Sequence, residues 1–165
     1  MRAATFADDT AFLKDHTDTI ILGDKAGAAK VAVVPAWQGR VMTSTSDGES
    51  GYSYGWINRD LIASGKTLQH MNPYGGEDRF WLGPEGGQFS IFFEKGAAFD
   101  FANWNTPAVF DTLPFHLVSQ TDDSAVFSAR FALTNYSGTT FEVGVKRTVQ
   151  LLDAAAAWRA LGLTA

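Results

Sequence analysis

The chain has 165 residues, 45% of them hydrophobic, a net charge of −5 and a pI near 5.0. That is enough apolar material for one domain core, and it lacks the clustered Lys/Arg that a nucleic-acid partner requires. There is no cysteine, which excludes disulfides, thiolate catalysis and Cys-based zinc or iron–sulfur sites.

The N-terminal residues lack the apolar stretch of a signal peptide, and the longest apolar runs fall far short of the ~20 residues that span a bilayer. The chain as given therefore reads as cytoplasmic, with a periplasmic or secreted placement left open and no membrane partner expected. Residues 6–16 predict a short amphipathic helix with Phe6, Leu13 and Phe12 as apolar contacts. Two short β-rich runs follow at 19–22 and 30–34, separated by a Gly/Asp/Lys turn. Alternation from Trp37 to Ser46 predicts a half-buried strand. Residues 47–76, rich in Gly, Ser, Tyr and Asn, read as a long structured loop of the kind that carries or covers function.

Residues 74–89 hold five glycines, three acids, one arginine, one tryptophan and one glutamine in sixteen positions. Paired glycines permit positive φ and close approach of the backbone to something else. On a short strand, Glu77, Arg79 and Trp81 would share one face. Strands are expected at 79–82 and 89–93, then a loop over 96–114. Three strands at 115–121, 124–134 and 141–152, joined by turns at Asp122-Asp123 and Ser137-Gly138, predict an antiparallel meander. With no βαβ alternation, the fold class is all-β, an antiparallel β-sandwich with a short N-terminal helix. Residues 153–165 favour helix, with Asp153 as N-cap. A sheet edge followed by an abrupt end leads us to expect one domain over 1–165 that is incomplete at its C-terminus, with 153–165 a truncated or non-native tail.

In the last strand Arg147 lies on the same face as Phe141, Val143, Val145, Val149 and Leu151. Either its head reaches water at the rim, or it pairs with a carboxylate in a cleft, for which Glu77, Asp78 and Glu85 are the partners at hand. The exposed edge at 141–152 is an association hazard, so a homodimer burying it is expected.

Residues 34–45 (VPAWQGRVMTST), 55–62 (GWINRDLI) and 75–88 (GGEDRFWLGPEGGQ) resemble an uncharacterised bacterial domain family related to the galactose mutarotase-like superfamily, the aldose 1-epimerases and the carbohydrate-binding modules built on the same β-supersandwich. The similarity continues through residues 103–107 and 135–138 to the strand at 145–149. The resemblance implies the N-terminal part of such a supersandwich. In aldose 1-epimerases an Asn-Arg pair and a later His-Gly-Gly segment line the sugar site. Asn58, Arg59 and His70, with Gly75-Gly76 downstream, occur here in that order. The epimerases' mid-chain histidine acid has no recognisable counterpart, and their C-terminal glutamate base would lie in a missing half.

Sugar sites combine a flat aromatic with acids, amides and arginines. Trp37, Trp56, Trp81 and Trp104 supply aromatics, and three of them stand beside polar partners: Gln38 and Arg40, Asn58 and Arg59, Glu77 and Arg79. The expected function is carbohydrate binding, with Asn58, Arg59, His70, Glu77, Arg79, Trp81, Glu85 and Arg147 as substrate-binding residues and no assigned catalytic residue. A sugar-active enzyme, an epimerase or glycoside-processing enzyme, is the alternative, with His70, Glu77 or Glu85 as acid or base. A structural or interaction sandwich without ligand is the third reading. Gly51-Tyr-Ser-Tyr-Gly55 matches G-x-S-x-G, but that motif needs a doubly wound sheet, so the match at Ser53 is read as chance. His16, His70 and His116 lack metal-ligand spacing, and no metal or cofactor is expected. Asn135-Tyr-Ser137 fits a glycosylation sequon but is better explained by capping of a turn.

Overall fold

The computed structural model describes residues 4–163. Helix α1 (Phe6–His16) starts at a reciprocal cap: the Thr5 hydroxyl accepts from the Asp8 N–H at 3.1 Å and Asp8 Oδ2 accepts from the Thr5 N–H at 2.9 Å. Asp8 and Asp9 in its first turn and Lys14 and His16 in its last complement the helix dipole. Phe6 and Leu13 are fully buried, and Phe12 packs beside them.

Strands β1 (Ile20–Gly23), β2 (Lys30–Val34) and β3 (Arg40–Thr45) form an antiparallel sheet in that order. Ala32 and Val34 pack with Phe6 and Leu13, whereas Val33 packs with Leu22 and Phe127. Both faces of β2 are covered, which is why its sequence is apolar without alternation. Strand β3 begins three residues later than the alternation suggests. Pro35–Trp37 winds into a 3₁₀ turn, and Gln38 and Gly39 then take φ of 62° and 65°. Gly39 has no room for a side chain, since a Cβ there would lie 2.7 Å from Phe127 Cδ2.

The second sheet, β4 (His116–Gln120), β5 (Ser124–Thr134) and β6 (Thr140–Gln150), is the expected antiparallel meander. Asn135 Oδ1 accepts from the Thr139 N–H at 2.9 Å, so Asn135 does cap the β5–β6 turn. Leu22 and Val33 of the first sheet and Ala125 and Phe127 of the second share one buried cluster. The molecule is thus mostly β, two antiparallel three-stranded sheets with a short N-terminal helix. Helix α3 (Ala154–Ala160) follows, and Asp153 Oδ1 accepts from the Ala156 N–H at 2.6 Å.

Two expectations are corrected. Residues 47–76 are more than a loop, because they hold helix α2 (Arg59–Ser64), capped by Asn58 and closed by Gly65 at φ 62°. Residues 79–82 and 89–93 do not form strands. Gly75 and Gly76 (φ 95° and 105°) bend the chain just before its single bridge from Asp78 to Val41, and no ladder follows. The aromatic side chains beyond it fill a third cluster, with Phe92, Phe93, Phe110 and Leu133 at its centre. Burial without pairing satisfies the same apolar residues that suggested strands. No helix among the described residues is long and apolar enough to cross a membrane.

Gly55 is the tightest point of this framework. A Cβ there would sit 2.0 Å from the Met42 carbonyl oxygen, and backbone cannot yield as a side chain does. Gly55→Ala is expected to cost about 1–3 kcal/mol, seen as a lower midpoint in urea unfolding at unchanged slope.

Candidate functional site

The structure scatters the residues singled out in the sequence. Asn58 is a helix cap whose Nδ2 donates to the Pro73 carbonyl at 3.0 Å. Arg59 pairs with Asp9 at 2.5 Å and lies 4.4 Å over the Phe12 ring, so it clamps α2 to α1. His70 is elsewhere: its Nδ1 is 2.6 Å from the Trp104 carbonyl oxygen, and its ring meets Phe101. It lines a cleft of about 240 Å³ with Gln69, Glu94, Asn103 and Asn105. Glu77 is exposed and accepts from the Ser44 hydroxyl at 2.9 Å. The expected shared face for Glu77, Arg79 and Trp81 does not form, because Arg79 turns inward. Arg79 and Trp81 do meet, with the guanidinium 4.2 Å over the indole, and Trp81 Nε1–H donates to Glu85 at 2.9 Å. The same indole stacks on Phe92 and meets Phe110 edge-on, so its ring is already engaged in packing. Arg147 has its side chain only 14% exposed; it pairs with Asp78 and donates from Nε to the Gly39 carbonyl at 3.0 Å. The carboxylate pairing anticipated for it is therefore realised, through Asp78 rather than Glu77 or Glu85, although Asp78 itself faces solvent.

Beneath residues 74–79 lies a charged cluster. Asp111, 3% exposed, accepts from the Asn72 N–H at 3.1–3.2 Å, from Asn72 Nδ2 at 2.7 Å and from Arg79 Nη2 at 3.3 Å. Arg79 Nη2 also donates to the Phe110 carbonyl. Arg40, 1% exposed, is the largest fully buried side chain, and its Nη1 donates to the Gly75 carbonyl at 3.1 Å. Burial, with Arg79 adding like-charge repulsion, pulls the Arg40 pKa down to about 10. Burial also lowers that of Arg79, an effect opposed by Asp111. Tyr74, stacked on Trp37, is shifted up by burial and then by the Asp111 charge. Above pH 10 the unfolded chain therefore releases a phenolic proton that the native state keeps. The stability contributed is full below pH 10 and declines as pH rises through the native value. Tyr74→Phe should flatten that decline in melting temperature measured across alkaline pH.

On the surface, residues 51–57 alternate strictly. Gly51, Ser53 and Ile57 are buried and Gly55 half-buried, while Tyr52, Tyr54 and Trp56 are 58%, 54% and 63% exposed. The backbone is stitched down on both sides, the Tyr54 N–H to the Ser44 carbonyl at 3.0 Å and the Trp56 carbonyl to the Gly76 N–H at 2.8 Å. Ser53 is held by Asp9 and Thr43, each at 2.5 Å, an anchoring role unlike that of a nucleophile. The Tyr52 and Tyr54 rings are 5.5 Å apart and tilted by 59°. Ser46 lies 2.8 Å from the Tyr54 hydroxyl, and Ser44 and Glu77 border the row. The paired glycines find their purpose here. A Cβ on Gly75 would meet the Trp56 carbonyl oxygen at 2.1 Å, and one on Gly76 would meet the Arg40 stem at 3.1 Å. They let one strand of chain fit between the exposed row and the buried arginine.

A model of a family of unknown function, DUF6786, matches residues 4–165. The chain belongs to that family. No curated protein and no solved structure matches it. The DUF6786 match spans the row, the charged cluster and the His70 cleft.

In the sequence, Tyr52 and Tyr54 stand out only as neighbours of Ser53. The signal for the row was the alternation Tyr-Ser-Tyr-Gly-Trp, with small residues between large rings. It is inverted relative to an ordinary half-buried strand, where the large apolar residues face inward. Asp111 and Asn72 gave no local signal, because their contact joins positions 39 apart.

Proposed function

We propose that the protein binds a carbohydrate chain on the row formed by Tyr52, Tyr54 and Trp56. The observation that carries this reading is the exposure of three large aromatics on one stitched-down segment. Trp37, Trp81 and Trp104 are all engaged in packing, whereas Trp56 leaves most of its ring in water. Pyranose rings present apolar C–H faces that stack on aromatics, and their hydroxyls need nearby donors and acceptors. Ser44, Ser46 and Glu77 supply these at the border. Rings tilted by 59° make a twisted surface, which suits a single flexible chain better than a flat crystalline face. A bound ligand need not expose or reorganise any core residue.

This reading keeps the expected ligand class and moves its centre from Trp81 to Trp56. The shared cluster between the two sheets supports a β-sandwich, and we infer the mutarotase-like kind from the motif resemblance alone. A ligand-observed NMR screen of oligosaccharides against the wild type and Tyr54→Ala tests the function. Saturation transfer in the wild type that vanishes in the variant supports it. No transfer to a folded wild type would leave the third reading, a structural domain without ligand.

The catalytic alternative draws on the His70 cleft. A hydrogen bond from Nδ1–H to the Trp104 carbonyl would leave Nε2 as the basic nitrogen, and Glu94 lines the same cleft. Mutarotation of a reducing sugar by the wild type, lost in His70→Ala, would favour it. We also infer a homodimer. Strand β6 pairs only with β5 among the described residues and presents an eleven-residue open edge. Light scattering should give twice the chain mass, and a monomer would rule the dimer out.

A further inference from the structure

We propose that Arg40 holds a halide-sized monovalent anion inside the protein, with Arg79 as the neighbouring cation. A guanidinium carries five N–H donors in a rigid planar fork. Arg40 places one donor on the Gly75 carbonyl. Its Nε and Nη2 are buried and have no hydrogen-bond partner among the described residues, and the same holds for Nε of Arg79. Nε and Nη2 form the side-on edge of the fork, the edge that grips an anion with two parallel hydrogen bonds.

No carboxylate among the described residues is hydrogen-bonded to this edge. Asp111 is the buried carboxylate of the cluster, and it is committed to Asn72 and Arg79. The Arg147 cation is turned to Asp78 and Gly39. Arg40 thus stands as a buried guanidinium whose one hydrogen-bond partner is a carbonyl and which Asp111 favours only through space, and a buried charge so thinly paired is unfavourable. Water would satisfy the donors and leave the charge; an anion does both. The space argues for a small one. The Arg40 stem lies beneath Gly76, close enough that a Cβ there would be 3.1–3.2 Å from it, and the Tyr74 ring is 5.8 Å from the guanidinium carbon. The site is separate from the aromatic row and independent of its function.

Chloride is the probe. At matched ionic strength, replacing gluconate with chloride should raise the wild-type melting temperature along a saturable curve, by about 3 to 6 °C at tenfold the dissociation constant. Arg40→Met should abolish that rise, whereas Lys30→Met, at the protein surface, should keep it. Equal melting temperatures in the two salts, or a rise that persists in Arg40→Met, would overturn the proposal. Should Arg40→Met not fold, bromide-soaked wild-type crystals decide. An anomalous peak on the Nε–Nη2 edge supports the site, and its absence there refutes it.

Discussion

Asp111→Ala should lower the melting temperature by roughly 6–20 °C, among the largest stability effects expected of a single change in this protein. The carboxylate is 3% exposed and accepts hydrogen bonds from Asn72 and Arg79. Removing one partner of a buried charged network typically costs about 3–5 kcal/mol, because the others stay buried and unsatisfied. In a chain of this size, each kcal/mol shifts the transition by about 2–4 °C. The damage goes beyond Arg79. Asn72 would lose the acceptor of its backbone N–H and the shorter of the two acceptors of its Nδ2, and residues 105–113 would lose one of their ties to the 70–72 loop. Arg40 would lose the negative charge that most favours its cation. Differential scanning calorimetry of wild type and variant measures the effect. A loss below about 1 kcal/mol would mean that solvent reaches the cluster freely and that Asp111 is not its keystone.

Trp56→Ala should weaken binding of an oligosaccharide by roughly 10- to 100-fold, equal to about 1.4–2.8 kcal/mol, with little change in stability. The indole is 63% exposed, so its removal leaves no cavity, and the backbone that ties the segment to Gly76 is untouched. Trp81→Ala makes the contrasting control. That ring packs on Phe92 and Phe110 under the Arg79 guanidinium, so truncating it should cost about 3–5 kcal/mol of stability and leave the affinity of the folded fraction near that of the wild type. Titration calorimetry and thermal melts on both variants separate the two roles. Loss of affinity in Trp81→Ala alone would return the site to residues 75–88.

The contrast between these tryptophans shows where the sequence was readable. Helix α1 and the β4–β5–β6 meander announce themselves through local periodicity, capping residues and turn chemistry, which act over a few positions. Asp153 as a cap follows from the same local logic, and Arg147 stands out locally as the charge on an apolar face, whereas its partner Asp78 is 69 positions away. Residues 79–93 mislead for a physical reason. Aromatic runs broken by glycine resemble strands, yet here their burial is satisfied by stacking in a loop layer around Phe92 and Phe110. Asn58 and Arg59 look like ligand-binding residues because caps and clamps use the same chemistry as sites. Arg40 fits the alternation of a half-buried strand. Its burial becomes visible only when Gly75 and Gly76, some thirty-five positions later, close over it.

The most direct test of the central claim is calorimetric titration of the wild type with one sugar type at increasing chain length. Alternate residues of an extended segment stand ~6.7 Å apart, so a chain must grow to cover Tyr52, Tyr54 and Trp56 in turn. Affinity that climbs with length, levels off once all three rings are covered, and levels off at a shorter chain and lower affinity in Trp56→Ala is the predicted result. Equal affinity for monosaccharide and oligosaccharide, or no heat from any chain with a folded sample, would contradict it.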